Sequence, residues 1–182
     1  MKTPYLFFVM VATAILSSCS AVLSPMPLAE TTAKDLQEAL EGIWVVEEGA
    51  IHIAFKEDGR GDIAFIEREE DAFILERGEL AAVEWDDRTY LSVRFEEDGE
   101  MNETYHMAEF KLDDAGNLIA WSTQVDHFVK AIKEGKLEGT IEKSKYTITV
   151  TLSSDSATIL EFLDKNPEAV DTRNPVILRK IN

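Results

Sequence analysis

The fold class is decided by the stretch Ile-His-Ile-Ala-Phe-Lys-Glu-Asp-Gly at positions 51–59. Ile51, Ile53 and Phe55 alternate with less apolar residues, which is the two-residue period of a strand with one buried face. The Glu-Asp-Gly that follows is a turn signal, and a second apolar segment begins at Asp62. The stretch therefore predicts an antiparallel hairpin.

The same pattern extends from this hairpin toward both ends of the chain. Short apolar segments with a two-residue period recur at regular spacing, and acidic or glycine-containing turns separate them. Gly78 divides one long apolar segment into two predicted strands. The predicted strands cover residues 51–56, 62–69, 73–76, 79–85, 91–96, 104–112, 118–121, 137–142, 146–152 and 176–181.

Three segments break the strand rhythm. A short helix is predicted over 32–40, with Thr32 as its N-cap and Asp35 completing a capping box. Apolar residues at helical spacing predict an amphipathic helix over 123–135 and another over 155–165. We therefore expect a mainly β protein, an antiparallel meander barrel or sandwich, in which two short late helices cover an opening or an edge.

The N-terminal segment has the composition of an export signal. Lys2 provides a positive start, and residues 5–16 are almost wholly apolar. This run is shorter than the roughly 20 residues that cross a bilayer. It ends in Leu16-Ser17-Ser18-Cys19, which resembles the lipobox of bacterial lipoproteins, and Cys19 is the sole cysteine of the chain. The alternative is a plain secretory signal followed by an incidental cysteine.

The lipobox resemblance implies where in the cell the protein is located. It implies that residues 1–18 are removed as a signal peptide and that Cys19 is acylated, so that its acyl chains hold the protein on a membrane. Ser20, rather than Asp, follows the cysteine; in Gram-negative relatives this implies the outer membrane, and in a Gram-positive host the anchor would be the plasma membrane. Two prolines within 19–31 predict an extended lipidated tether, and 32–182 is expected to be one β-rich domain.

A second resemblance concerns the barrel. A helix followed by Gly42-Ile43-Trp44 and a meander of hairpins resembles the entry of a lipocalin-type barrel, as in other small lipoproteins with a lipocalin-like or related β-fold. The resemblance implies that Trp44 plugs the closed end and that a basic residue near the end of the last strand, Arg179, packs across it. Two features depart from it: the Thr-Asp-Tyr turn motif is missing, and the helices precede the last strand. Alternatively, Trp44 is an ordinary core aromatic.

The charge balance limits the classes of molecule that the protein can bind. The chain has 35 acidic and 18 basic residues and a net charge of −17 at pH 7. This balance excludes nucleic-acid binding and opposes adsorption to anionic lipid, so membrane attachment must come from the acyl chains. A hydrophobic content of 45% excludes a disordered acidic tail.

Motifs for chemistry are missing. His52, His106 and His127 are far apart in sequence, and the two on predicted strands, His52 and His106, are interpreted as exposed, so no metal site is predicted. The acidic segments 96–100 and 113–117 lack the alternation of a calcium loop and are interpreted as turns, with a weak cation site at 96–100 as the alternative. There is no Gly-x-Ser-x-Gly motif, and lipid would consume Cys19. We expect neither catalytic residues nor a cofactor.

Two functions remain. The first is a non-catalytic module that binds a small apolar ligand in a barrel lumen lined by Phe55, Phe65, Phe95 and Met107. The competing interpretation of these side chains is that they fill a closed core. The second function is an interaction or inhibitor module whose acidic surface binds a basic protein of the cell envelope.

Overall fold

The structure is a computed structural model that describes residues 20–46, 49–69 and 72–181. The predicted signal segment and Cys19 lie outside these ranges. The described strands are β1 (Ser20–Ser24), β2 (Gly42–Val46), β3 (Gly49–Phe55), β4 (Gly61–Glu69), β5 (Ala72–Trp85), β6 (Arg88–Glu97), β7 (Glu100–Met101), β8 (Tyr105–Leu112), β9 (Leu118–Ser122), β10 (Gly139–Lys143), β11 (Ile148–Leu152) and β12 (Val176–Ile181). The described helices are α1 (Lys34–Leu40), α2 (Val125–Lys133), α3 (Ser156–Lys165) and a 3₁₀ turn at Pro167–Ala169.

Eight of the strands close into an antiparallel barrel in the order β2-β3-β4-β5-β6-β8-β9-β12 and back to β2. The prediction of a mainly β antiparallel meander barrel is confirmed, and the alternative of a sandwich is excluded by the closure. The largest insertion in the described meander lies between β9 and β12 and comprises α2, β10, β11 and α3; the short β7 lies between β6 and β8. Within the described ranges, none of the helices combines the length and apolar composition needed to cross a bilayer.

An outer sheet extends from the barrel at β8. β1 pairs antiparallel with β8 and parallel with β11, and β11 pairs with β10. The prolines predicted an extended tether. Residues 20–31 instead belong to the fold. Val22 and Leu28 are buried, and the Leu28 N–H donates to Ser92 Oγ at 2.8 Å. Ser20 is therefore already part of the folded domain.

The apolar side chains form two clusters. The barrel core fills much of the barrel interior and comprises Leu40, Trp44, Ile53, Ile63, Leu80, Ala82, Leu91, Phe110, Leu118, Ala120 and Leu178. The outer cluster lies outside the barrel, where α2 and α3 pack with the outer sheet, and comprises Val22, Leu28, Tyr90, Met107, Phe128, Val129, Ala131, Leu137, Val150, Leu152, Ile159, Leu160, Phe162, Leu163, Ala169 and Val170. The late helices therefore cover the outer sheet and do not line the barrel interior.

Gly78 does not divide a strand, contrary to the prediction. β5 runs through it without a break and pairs with both β4 and β6 at this point. A Cβ atom on Gly78 would lie 2.2 Å from the Arg94 carbonyl oxygen and 3.1 Å from an Ile63 methyl group. The glycine is required because the chains approach each other closely here.

The helix ends agree with the prediction only in part. Asp155 accepts a hydrogen bond from the Thr158 N–H at 2.8 Å and so caps α3 at the first residue of the predicted segment 155–165. α1 begins at Lys34 and has no side-chain cap, so the capping box is wrong. Thr32 Oγ1 instead accepts from the buried Ala82 N–H at 2.9 Å, because β4 does not extend far enough to pair with that part of β5.

Candidate functional site

One end of the barrel is plugged by a tryptophan. Trp44 is completely buried, and its indole N–H donates to the Leu40 carbonyl at 2.8 Å, which ties β2 to the last turn of α1. The Lys180 ammonium lies 5.2 Å from the centroid of the tryptophan ring and donates to the Ala39 carbonyl at 3.1 Å. The plug therefore joins the first barrel strand, the last barrel strand and α1.

The residue that packs across Trp44 is not the expected Arg179. In the pairing of β12 with β2, Lys180 lies directly opposite Trp44, and Arg179 pairs with Val45. Successive strand residues point to opposite faces, so Lys180 shares the face of Trp44 while Arg179 is exposed outside. The predicted basic partner exists, but it is one position later in the strand.

Beyond the plug, the barrel interior is incompletely filled and contains a cavity of about 80 Å³. Val46 lines this cavity, whereas Trp44 and Leu40 do not, so the cavity lies on the side of the tryptophan away from α1. The lining is formed by Val46, Ile51, Ile53, Ile63, Phe65, Leu91, Val93, Phe95, His106, Met107, Ala108, Leu118, Ala120, Val176 and Leu178. It is almost wholly apolar.

The structure places the four predicted lumen residues differently relative to the cavity. Phe65 and Phe95 line the cavity, as expected. Phe55 packs against the barrel core but does not reach the cavity. Met107 borders the cavity but belongs to the outer cluster, because the alternation along β8 points its neighbours His106 and Ala108 inward instead.

His106 is the one titratable group among the described residues that line the cavity. Burial lowers its pKa, because the apolar surroundings disfavour the imidazolium. Within the part of the chain that the structure describes, no side chain hydrogen-bonds or pairs with it. The interpretation of His106 as an exposed histidine is therefore wrong, whereas His52 on β3 is exposed as expected.

The described lining offers little for catalysis or metal binding. It places no carboxylate, hydroxyl or thiol beside His106. Among the described residues, no three His, Cys, Asp or Glu side chains lie close enough together to hold a metal ion. The segment 113–117 is a turn, as interpreted, in which Asp113 Oδ1 accepts from the N–H groups of Ala115 and Asn117 at 2.9 and 2.8 Å. The cavity is suited to binding an apolar group.

A second concavity, a polar groove of about 320 Å³, lies outside the barrel and is lined by residues of β3, β4, β5, β6 and β7. Two of the three acids in its lining form ion pairs with cations. Asp62 lies 2.7 Å from the Lys56 ammonium, and Glu79 lies 2.6 Å from the Arg94 guanidinium. This pairing weakens the case for the groove as an acidic surface that binds a basic protein.

Comparisons of the chain with protein-family models, with curated proteins and with solved structures return no match. The class that the structure defines is architectural. It is a closed eight-stranded antiparallel barrel, with a tryptophan plug at one end, an apolar cavity beyond it and an outer sheet covered by helices. A function has to be argued from the cavity.

Proposed function

We propose that the protein is a non-catalytic module that binds a small apolar ligand and is held at a bacterial cell envelope by acyl chains on Cys19. The observation that carries the ligand-binding part is the unfilled apolar cavity of the barrel, with His106 in its wall. Apolar cavities with few polar groups are the usual form of sites for small hydrophobic molecules.

The size of the cavity favours a slender ligand. A volume of about 80 Å³ is several times the roughly 10–15 Å³ that one water needs, but it is well below the roughly 300–1,000 Å³ of sites for drug-sized molecules. The end of an alkyl chain fits these limits, and each methylene moved from water into the cavity contributes about 0.8 kcal/mol. An apolar wall does not orient such a chain. The neutral His106 imidazole is the wall group that can hydrogen-bond a polar atom of the ligand.

The anchoring part of the proposal is supported by the sequence before the described residues. A basic start, an apolar run and the Leu16-Ser17-Ser18-Cys19 order together resemble a lipoprotein signal. Two or three acyl chains hold a protein on a membrane far more firmly than one does. Because Ser20 follows the cysteine, we place the anchor in the outer membrane if the host is Gram-negative.

Ligand binding is tested with a Cys19→Ser form that lacks the signal peptide, titrated with a linear fluorescent polyene fatty acid. We expect saturable binding of about one molecule per chain at micromolar concentration. Ala108→Leu adds three carbon atoms to the cavity wall and should weaken binding by about tenfold or more. Ala54→Leu on the outer face of β3 is the matched control and should leave binding unchanged.

Two results would contradict this function: non-saturable binding by the parent protein, or equal binding by folded Ala108→Leu and Ala54→Leu variants. Far-UV circular dichroism and urea unfolding establish that the variants fold. If Ala108→Leu does not fold, Ala120→Val makes a smaller change in the same cavity.

The anchor is tested separately by intact-mass analysis of the full-length chain expressed in a bacterial host. We expect a mature N-terminus at Cys19 carrying two or three acyl chains, and Cys19→Ser should leave the membrane fraction. A free thiol at Cys19 would contradict the anchor without affecting the ligand-binding test.

A further inference from the structure

The turn between β10 and β11 presents an exposed tyrosine and a lysine in a fixed arrangement. The Ser144 N–H donates to the Thr147 carbonyl at 2.9 Å, and the Ser144 hydroxyl accepts from the Thr147 N–H at 3.0 Å. Tyr146 is 73% exposed, and the Lys145 ammonium lies 4.9 Å from the centroid of its ring. The side chains at this tip are therefore displayed to solvent on a well-defined turn.

This tip lies at the end of the outer sheet where the chain enters the fold. β1 and β11 are parallel, Ser20 is in register with Ile148, and the Ile148 N–H donates to Ser20 Oγ at 3.1 Å. Because Ser20 belongs to β1, the predicted acylation site, Cys19, is covalently bonded to the first described residue of this strand. Consecutive Cα atoms are about 3.8 Å apart, so no linker separates an acylated Cys19 from this end of the sheet.

The charge around the tip differs from that of the whole chain. The segment 139–152, which spans both strands, contains Lys143 and Lys145 and a single acid, Glu142, and β1 has no charged residue. The chain as a whole has a net charge of −17. An anionic lipid surface would repel most of this protein but attract the tip.

We propose that the β10–β11 tip, formed by Lys143, Lys145 and Tyr146, contacts the lipid–water interface beside the acyl chains and orients the barrel on the membrane. The partner is the surface of a bilayer that contains anionic phospholipid. Tyrosine favours this interface because its ring is apolar and its hydroxyl is polar, and lysine is attracted to the lipid phosphates. This inference rests on the proposed acylation of Cys19.

A second surface that could contact a membrane is on the β4–β5 hairpin. There Phe73 is 76% exposed, and Leu75 and Ile66 are also exposed. In the barrel, β6 lies between β5 and β8, and the outer sheet joins the barrel at β8. Phe73 is therefore on a different side of the barrel from β1. Its exposure matches that of Tyr146, so Phe73 provides a control aromatic position.

The test uses the acylated full chain in vesicles of phosphatidylethanolamine with about one quarter phosphatidylglycerol. Acylation consumes the sole native thiol, so Tyr146→Cys and Phe73→Cys each provide a unique site for an environment-sensitive fluorophore. Lipids with a nitroxide in the headgroup serve as the quencher. We expect about a twofold drop in fluorescence from the label at position 146 and no drop at position 73. Lys143→Gln with Lys145→Gln should reduce the drop at position 146.

The outcomes separate the two proposals. Acylated protein that floats with the vesicles but shows no quenching at position 146, or equal quenching at both positions, overturns the membrane contact and leaves the anchor in place. A free thiol at Cys19 by intact mass overturns the anchor and the contact together. Quenching at position 146 alone, weakened when the lysines are neutralised, supports the contact.

Discussion

Lys180 lies opposite Trp44 in the pairing of the last barrel strand with the first, and its ammonium group lies 5.2 Å from the tryptophan ring centroid and 3.1 Å from the Ala39 carbonyl oxygen. One side chain thus contacts the plug and α1, whose last carbonyl groups lack partners within the helix. A cation at a helix C-terminus is also favoured by the helix dipole. This contact secures the closed end of the barrel.

We expect Lys180→Met to lower the free energy of unfolding by about 1–2 kcal/mol, because the variant loses a hydrogen bond from a charged donor and a cation–π contact while keeping the apolar stem. Arg179→Met is the matched control. Its side chain is exposed on the outer face of the same strand, so its change should stay within about 0.5 kcal/mol. Urea unfolding of both variants measures the difference, and equal effects would contradict a special role for Lys180.

Thr32 offers a second test of how α1 is attached. Its hydroxyl accepts from the buried Ala82 N–H, and Thr32→Val removes this acceptor at nearly constant volume. We expect a loss of about 1–3 kcal/mol in the free energy of unfolding, since a buried N–H is left without a partner. Thr31→Val, at an exposed neighbouring position, should have little effect. If the two variants are equally stable, the Ala82 N–H must have found another acceptor.

The barrel was predictable because its hairpins are local. Segments such as the one ending in Phe55 bury one face and stop at clear turns, so alternation and turn residues agree. Gly78 misled the prediction because a glycine that allows close approach of two strands looks in sequence like a glycine that ends a strand. Closure of the sheet depends on the pairing of Lys180 with Trp44, across most of the chain, and no local pattern encodes it.

The site was less predictable than the fold. In the segment 104–112, neither of the two alternating sets of residues is clearly polar. His106, Ala108 and Phe110 share one face of the strand, and Tyr105 and Met107 share the other. Both faces are buried, one in the barrel and one under the helices, so the usual contrast between apolar and polar faces is lost. The outer sheet and its insertion create this second buried face.

The Arg88–Glu109 ion pair links the barrel to α3. The pair joins β6 to β8, both side chains are less than 20% exposed, and Arg88 Nη1 also donates to the Leu163 carbonyl at 2.8 Å. Breaking a buried pair costs about 3–5 kcal/mol, and the remaining exposure reduces this to about 2–4 kcal/mol for Glu109→Gln. Urea unfolding measures this loss.

Two comparisons test whether the burial of the Arg88–Glu109 pair matters. The exposed Lys165–Glu161 pair on α3 is the control, and Glu161→Gln should change the free energy of unfolding by less than about 0.5 kcal/mol. The double variant Arg88→Met with Glu109→Leu should be more stable than Glu109→Gln, because it leaves no unpaired charge. A double variant that is less stable than Glu109→Gln would show that the hydrogen bond to Leu163, rather than the unpaired charge, dominates.

His106 should make stability depend on pH in a defined direction. Burial lowers its pKa in the folded state, whereas the unfolded state keeps the ordinary value of about 6.5. As the pH falls through that value, the unfolded chain takes up a proton that the folded chain refuses, so the free energy of unfolding declines until the folded-state pKa is reached. His106→Gln removes this contribution. The free energy of unfolding of this variant should therefore decline less steeply from about pH 7.5 to about pH 5 than that of the parent. Urea unfolding across this pH range decides the matter: if the parent and His106→Gln have the same slope, the folded chain protonates His106 as readily as the unfolded chain does, and at the acid end of the range an apolar ligand would meet a cation in the wall of the cavity.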